Sequence, residues 1–156
     1  MIRVQREDFD VGAELNRLTE GKHDVGGLAC FVGLVRDMAG DQAISAMTLE
    51  HYPGMTEKML ERVEAEAQAR WPLEASLIIH RYGRLEPGDR IVLVATASAH
   101  RTAALESCQF LIDWLKTKAP FWKQEETPDG AQWVEARASD DEAAARWSKP
   151  KPDAAE

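Results

Sequence analysis

Three features of the chain predict an α+β fold. Two stretches carry apolar residues at helical spacing: Met55, Met59, Val63 and Ala67, then Leu105, Cys108, Ile112 and Leu115. Strand-like runs surround them, several separated by Gly- and Pro-containing turns. Strand and helix do not alternate regularly along the chain, so a doubly wound parallel sheet is not expected.

Ile2 and Val4 alternate with Arg3 and Gln5, a short strand signal. Asp10 is placed to cap a helix over 11–19, with Leu15 and Leu18 on its inner face. Gly21, Gly26 and Gly27 then interrupt the chain. Residues 28–35 form the longest apolar run and predict a buried strand, in which Gly33 marks a bulge or a close approach. Residues 37–41 predict a turn, and 44–51 the returning strand of a hairpin. Pro53 and Gly54 stop that strand.

The first long helix starts at Met55 and ends at Pro72. Its methionines are better read as core packing than as a cofactor contact. Residues 75–82 and 90–97 are predicted strands on either side of the turn Glu86-Pro87-Gly88-Asp89. The second long helix covers 101–118, because Pro120 disfavours helix at Ala119. Residues 121–126 and 131–136 flank Pro128-Asp129-Gly130 as a second hairpin. A short helix is expected over 141–147. Together these elements predict one domain over 1–147, followed by a disordered polar tail over 148–156.

The chain has 156 residues, 44% of them apolar, which suffices for a core. Its net charge of −8 argues against nucleic-acid binding through a basic face. No apolar run approaches the roughly 20 residues of a membrane helix, and the first residues carry no apolar signal region. A soluble, cytoplasmic protein with no membrane association is expected. Cys30 and Cys108 both lie in apolar runs and are expected to be buried core thiols. His23, His51, His80 and His100 are scattered, without metal-ligand spacing, so neither a metal nor a cofactor is expected.

What remains is a basic set in an acidic chain. Arg36 closes the first apolar strand. His100-Arg101 lies where a strand gives way to a helix, whose N-terminal donors favour an anion. Lys116 lies near the end of that helix, and Lys123 beyond Pro120. Each could equally be a surface charge paired with a carboxylate. Phe121-Trp122 could stack a flat ring, although hairpin aromatics are more often core. Lysines near other cations can lose their proton and become chemically useful. Composition and spacing reach an anion pocket with an activated lysine, and no further.

The stretches Phe31-Val32-Gly33-Leu34-Val35-Arg36-Asp37, Leu49-Glu50-His51-Tyr52-Pro53-Gly54-Met55 and His80-Arg81-Tyr82-Gly83-Arg84-Leu85-Glu86-Pro87-Gly88-Asp89 stand in that order. Ser98-Ala99-His100-Arg101, then residues 115–123 and Trp133-Val134-Glu135-Ala136, follow. In these stretches the chain resembles the molybdopterin synthase large-subunit family over about residues 4–147. The resemblance implies an α/β hammerhead-like domain with a small antiparallel β subdomain. It implies a homodimer that recruits a small ubiquitin-like sulfur-carrier subunit, whose C-terminal thiocarboxylate delivers sulfur. The implied substrate is cyclic pyranopterin monophosphate, which gains a dithiolene. It further implies Lys116 and Lys123 as catalytic residues. Leu34, Val35, Arg36, His100, Arg101, Gln124 and Glu125 would join both lysines in binding substrate. Two other readings of the residues stay open: a Schiff-base lysine lyase, and a non-catalytic adaptor for a ubiquitin-like partner.

Overall fold

The computed structural model describes residues 1–134 and 138–148. The predicted residues 135–136 of the second hairpin, and the tail from 149 onward, lie outside the described residues. In chain order the elements are β1 (Ile2–Gln5), α1 (Val11–Thr19), β2 (Gly27–Leu34), β3 (Met38–Ala39), β4 (Gln42–Ala43), β5 (Ala46–His51) and α2 (Met55–Arg70). They continue with β6 (Leu73–Arg81), β7 (Gly83–Leu85), β8 (Arg90–Ser98), α3 (Arg101–Thr117), β9 (Phe121–Thr127), β10 (Gly130–Val134) and α4 (Ala138–Ala145).

The main sheet has the order β1-β6-β8-β2, with β1 parallel to β6 and the other pairs antiparallel. Period-2 alternation splits its side chains between two cores. Ile78, Val92 and Val94 face α2 and α3, where Leu60, Val63, Cys108 and Leu111 meet them. Leu77, Ile79 and Leu93 face the other way, onto Val11, Leu15 and Leu18 of α1. Asp10 caps α1 as expected, accepting the Ala13 N–H at 2.8 Å. The smaller sheet, β10-β9-β5-β7, is wholly antiparallel and encloses a third core of Val35, Met47, Leu49 and Leu85. The α+β class and the small antiparallel subdomain are therefore present.

Several expectations need correcting. Residues 28–35 and 44–51 do not form a hairpin: β2 pairs with β8, and β5 pairs with β7 and β9 in the other sheet. Residues 38–43 instead close on themselves as the β3–β4 ribbon, and Val35 turns away from the main sheet to join the third core. Nor is β2 fully buried. It is an edge strand, with Leu28, Phe31 and Leu34 exposed, and so is Cys30. Gly33 does mark a close approach: the register shifts there, and a Cβ would stand 2.8 Å from Val92 Cγ1.

On the long helices the predicted stripes hold except near their N-terminal ends. Leu105 is exposed, and Ala104, Cys108, Leu111 and Leu115 face the sheet. Met55 is likewise exposed, while Leu60, Val63 and Ala67 are buried. Val63, Ala67, Cys108, Ile112 and Leu115 are buried as predicted, with Leu60, Ala104 and Leu111 widening each stripe. The final helix begins at residue 138 rather than 141. Trp147, just past its end, anchors it. The indole Nε1 donates to Asp113 Oδ2 at 2.8 Å, and the ring meets Trp71 and Phe110 edge-on.

Candidate active site

A cavity of about 410 Å³ opens where the two sheets meet the C-terminal end of α3. Arg36 enters from the chain after β2, Lys116 from the last turn of α3, and Lys123 from β9. Three of the sequence-predicted cations therefore share one wall-to-wall space. A second, more open cavity of about 640 Å³ adjoins it on the far side of Arg36 and is lined also by Val35. Met47, Leu49, Ile91 and Leu115 supply an apolar floor, and Asp140 of α4 completes the rim. Low polarity beneath a cation strengthens its field at a bound anion. Lys116 also sits where the helix dipole favours positive charge.

Strand register sorts the residues around Lys123. Lys123 and Glu125 share a face of β9, with Lys123 Nζ 3.9 Å from Glu125 Oε1. Gln124 lies opposite Trp133 and Thr48 in the register, so it falls with Trp122 on the other face. Trp122 and Trp133 are both exposed there. Phe121, in contrast, lines the cavity. Leu34 is exposed at the edge of the main sheet, and Val35 is buried in the third core.

His100 and Arg101 stand elsewhere. His100 is the N-cap residue of α3 and Arg101 its first residue, and both are exposed. Lys116 follows fifteen positions later on the same helix, about 22 Å away at 1.5 Å per residue. The corner at His100 is held against β2. Gly26 N–H donates to Ser98 O at 3.0 Å, and a Cβ on Gly26 would lie 2.2 Å from Ala99 O. Only glycine fits beneath that turn. Within one chain, then, the structure does not bring His100-Arg101 to the lysines.

His80 is the residue that sequence reasoning missed. It lies on β6, on the α3 side of the sheet, and is buried yet lines the cavity. Its ring stacks on Phe121 with 3.7 Å between centroids and 14° between planes. Burial, aided by the nearby Lys116 charge, pushes its pKa down to about 4. No spacing rule would have found it; only the sheet register places it under Lys116. Cys108 is buried and does not line the cavity, and burial pushes its thiol up to about 12. Among the described residues, no helix is long and apolar enough to cross a membrane.

Residues 4–118 match the family model described as MoaE protein. The chain is 54% identical over 148 residues to the molybdopterin synthase catalytic subunit of Mesorhizobium japonicum, covering 94% of this chain and 92% of that protein. It is 52% identical over 146 residues to the molybdopterin synthase catalytic subunit of Escherichia coli, covering 94% and 97%. Among solved structures, the molybdopterin biosynthesis MoaE protein of Burkholderia ambifaria superposes with a TM-score of 0.81 at 56% identity, covering 94% of this chain and 97% of that one. The molybdopterin synthase structure from Staphylococcus aureus superposes at 0.79 with 28% identity, covering 85% and 96%. Such identity across nearly the full length, on a matching fold, places this chain in the MoaE protein family.

Proposed function

We propose that the chain acts as the catalytic subunit of a molybdopterin synthase, transferring sulfur to cyclic pyranopterin monophosphate to build its dithiolene. The observation that carries this is the meeting of Arg36, Lys116 and Lys123 in one cavity of an acidic chain. The relatives named as catalytic subunits support the same reading. That name implies a further subunit. We take it to be a small ubiquitin-like carrier whose C-terminal thiocarboxylate enters the cavity, since neither Cys108 nor Cys30 lines the cavity.

In this reading Arg36 holds the substrate phosphate through its planar fork of donors. Lys116 transfers a proton as the cyclic phosphate opens and as sulfur attacks, and its charge steadies the developing oxyanion. Lys123, tied to Glu125, orients the pterin or the half-sulfurated intermediate. Leu34 and Gln124 lie off the cavity wall, so their contribution would be to the carrier or the partner subunit rather than to the pterin.

His100 and Arg101 are about 22 Å from Lys116, too far to serve the same cavity in one chain. We take the working form to be a homodimer in which the partner subunit's His100 and Arg101 complete the cavity. The working unit is residues 1–147, in the cytoplasm. The test is reconstitution. The chain, cyclic pyranopterin monophosphate and a thiocarboxylated carrier should yield molybdopterin, and the carrier with an ordinary carboxylate should not. A Schiff-base lyase would instead be trapped on substrate by borohydride without any carrier.

A further inference from the structure

The cavity is walled by cations, which suits a phosphate. One group in it suits something else. His80 Nδ1 lies 2.8 Å from the Arg81 carbonyl oxygen. A carbonyl only accepts, so Nδ1 carries the proton and donates. The neutral ring then presents Nε2 as a bare lone pair. Nε2 has no hydrogen-bond partner among the described residues, although the side chain is nine-tenths buried. The stack on Phe121 fixes the plane of the ring. The charged and titratable groups around it are Lys116 on α3, His51 on β5, and the other charged residues of the cavity, Arg36, Lys123 and Asp140. Lys116 and His51 both oppose a second proton on the ring. Nε2 is not sealed from solvent, and His80 lines the cavity, so a donor on the ligand can reach it.

We propose that His80 is a specificity-determining residue whose Nε2 accepts a hydrogen bond from an N–H of the bound heterocycle. The inference rests on the pterin reading of the cavity and deepens it. The substrate's cyclic phosphate is a diester with only acceptor oxygens and gains nothing from Nε2. A reduced pterin carries ring N–H and amino donors, which can meet Nε2 in the plane of the imidazole. The cations thus read the phosphate, and His80 reads the base.

His80→Phe keeps the stack and removes the acceptor. Binding is measured by calorimetry on the full-length chain with its carrier, using cyclic pyranopterin monophosphate and, separately, dimethyl phosphate, a phosphate diester without an O–H. The pterin should bind about tenfold more weakly, the effect of one unpaired donor, with phosphate affinity unchanged. Unchanged pterin affinity would overturn the proposal. So would an equal loss for pterin and phosphate, which would mean that His80 acts through the lysines. If His80→Phe fails to fold, nitrogen-15 NMR of the wild-type imidazole decides: the pterin should shift the Nε2 resonance and dimethyl phosphate should not. Absence of turnover in the wild type would sink the sulfur-transfer reading instead, and the binding measurements would still decide the role of His80.

Discussion

Arg101 and Lys116 are the first residue and a last-turn residue of one helix, α3, and about 22 Å of helix separates them. Two residues of one substrate site cannot sit that far apart in one chain. Either the site is shared between two copies, or Arg101 serves another purpose. Mixing variants separates these. Arg101→Ala and Lys116→Ala should each be inactive alone. Co-refolded, mixed dimers should regain one intact cavity, giving about a quarter of wild-type activity on random pairing. No recovery would show that both residues act within one chain, and an active Arg101→Ala variant would show that Arg101 is not part of the site.

Lys116→Ala should lose roughly 10²-fold or more in rate, the scale of one general acid–base group, while the fold and carrier binding persist. Lys116→Arg should rescue poorly, because guanidinium keeps the charge and cannot release its proton. Turnover near wild type in Lys116→Arg, measured at saturating substrate, would reduce Lys116 to a fixed charge.

Acid should weaken the fold through His80. Its pKa is pushed down to about 4 in the folded chain, by burial first, so the unfolded chain binds the proton more readily. Stability from this group is fully present above its ordinary value of 6.5 and is lost as pH falls from there toward 4. Urea midpoints taken across that window should fall with pH. In His80→Phe the slope should be flatter. An identical slope in the variant would remove His80 from the acid response.

Trp147 ties the end of α4 to α3, and α4 supplies Asp140 to the cavity rim. Trp147→Phe keeps the edge-on contacts and deletes the hydrogen bond to the buried Asp113. Urea unfolding should show a loss of about 1 kcal/mol. A loss below measurement would mean that Gln109, which donates to Asp113 at 3.0 Å, and Arg146, 3.6 Å from its Oδ2, satisfy the carboxylate between them.

The helices, the Asp10 cap and the hairpin at Gly130 were legible in the sequence because their signals are local: spacing, capping and turn chemistry. The partners of β2 and β5 were not. Each strand reads the same whether it pairs with its neighbour or with a strand far along the chain, and only packing decides. The same limit applies to the site. Arg36, Lys116 and Lys123 stood out as charges in an acidic chain. His80 did not, because nothing in its spacing tells a buried cavity histidine from a core one. The strand parity that turns Gln124 away from Lys123 is a local signal, since neighbouring strand residues face opposite ways.

The most direct test follows the sulfur. The carrier is loaded with a heavy-sulfur thiocarboxylate and mixed with the chain and cyclic pyranopterin monophosphate for a single turnover. The products are then weighed by mass spectrometry. Heavy sulfur should appear in the pterin with the wild-type chain, and stay on the carrier with Lys116→Ala. Label that never leaves the carrier in the wild type, or that moves equally well in Lys116→Ala, would contradict sulfur transfer in the Arg36–Lys116–Lys123 cavity.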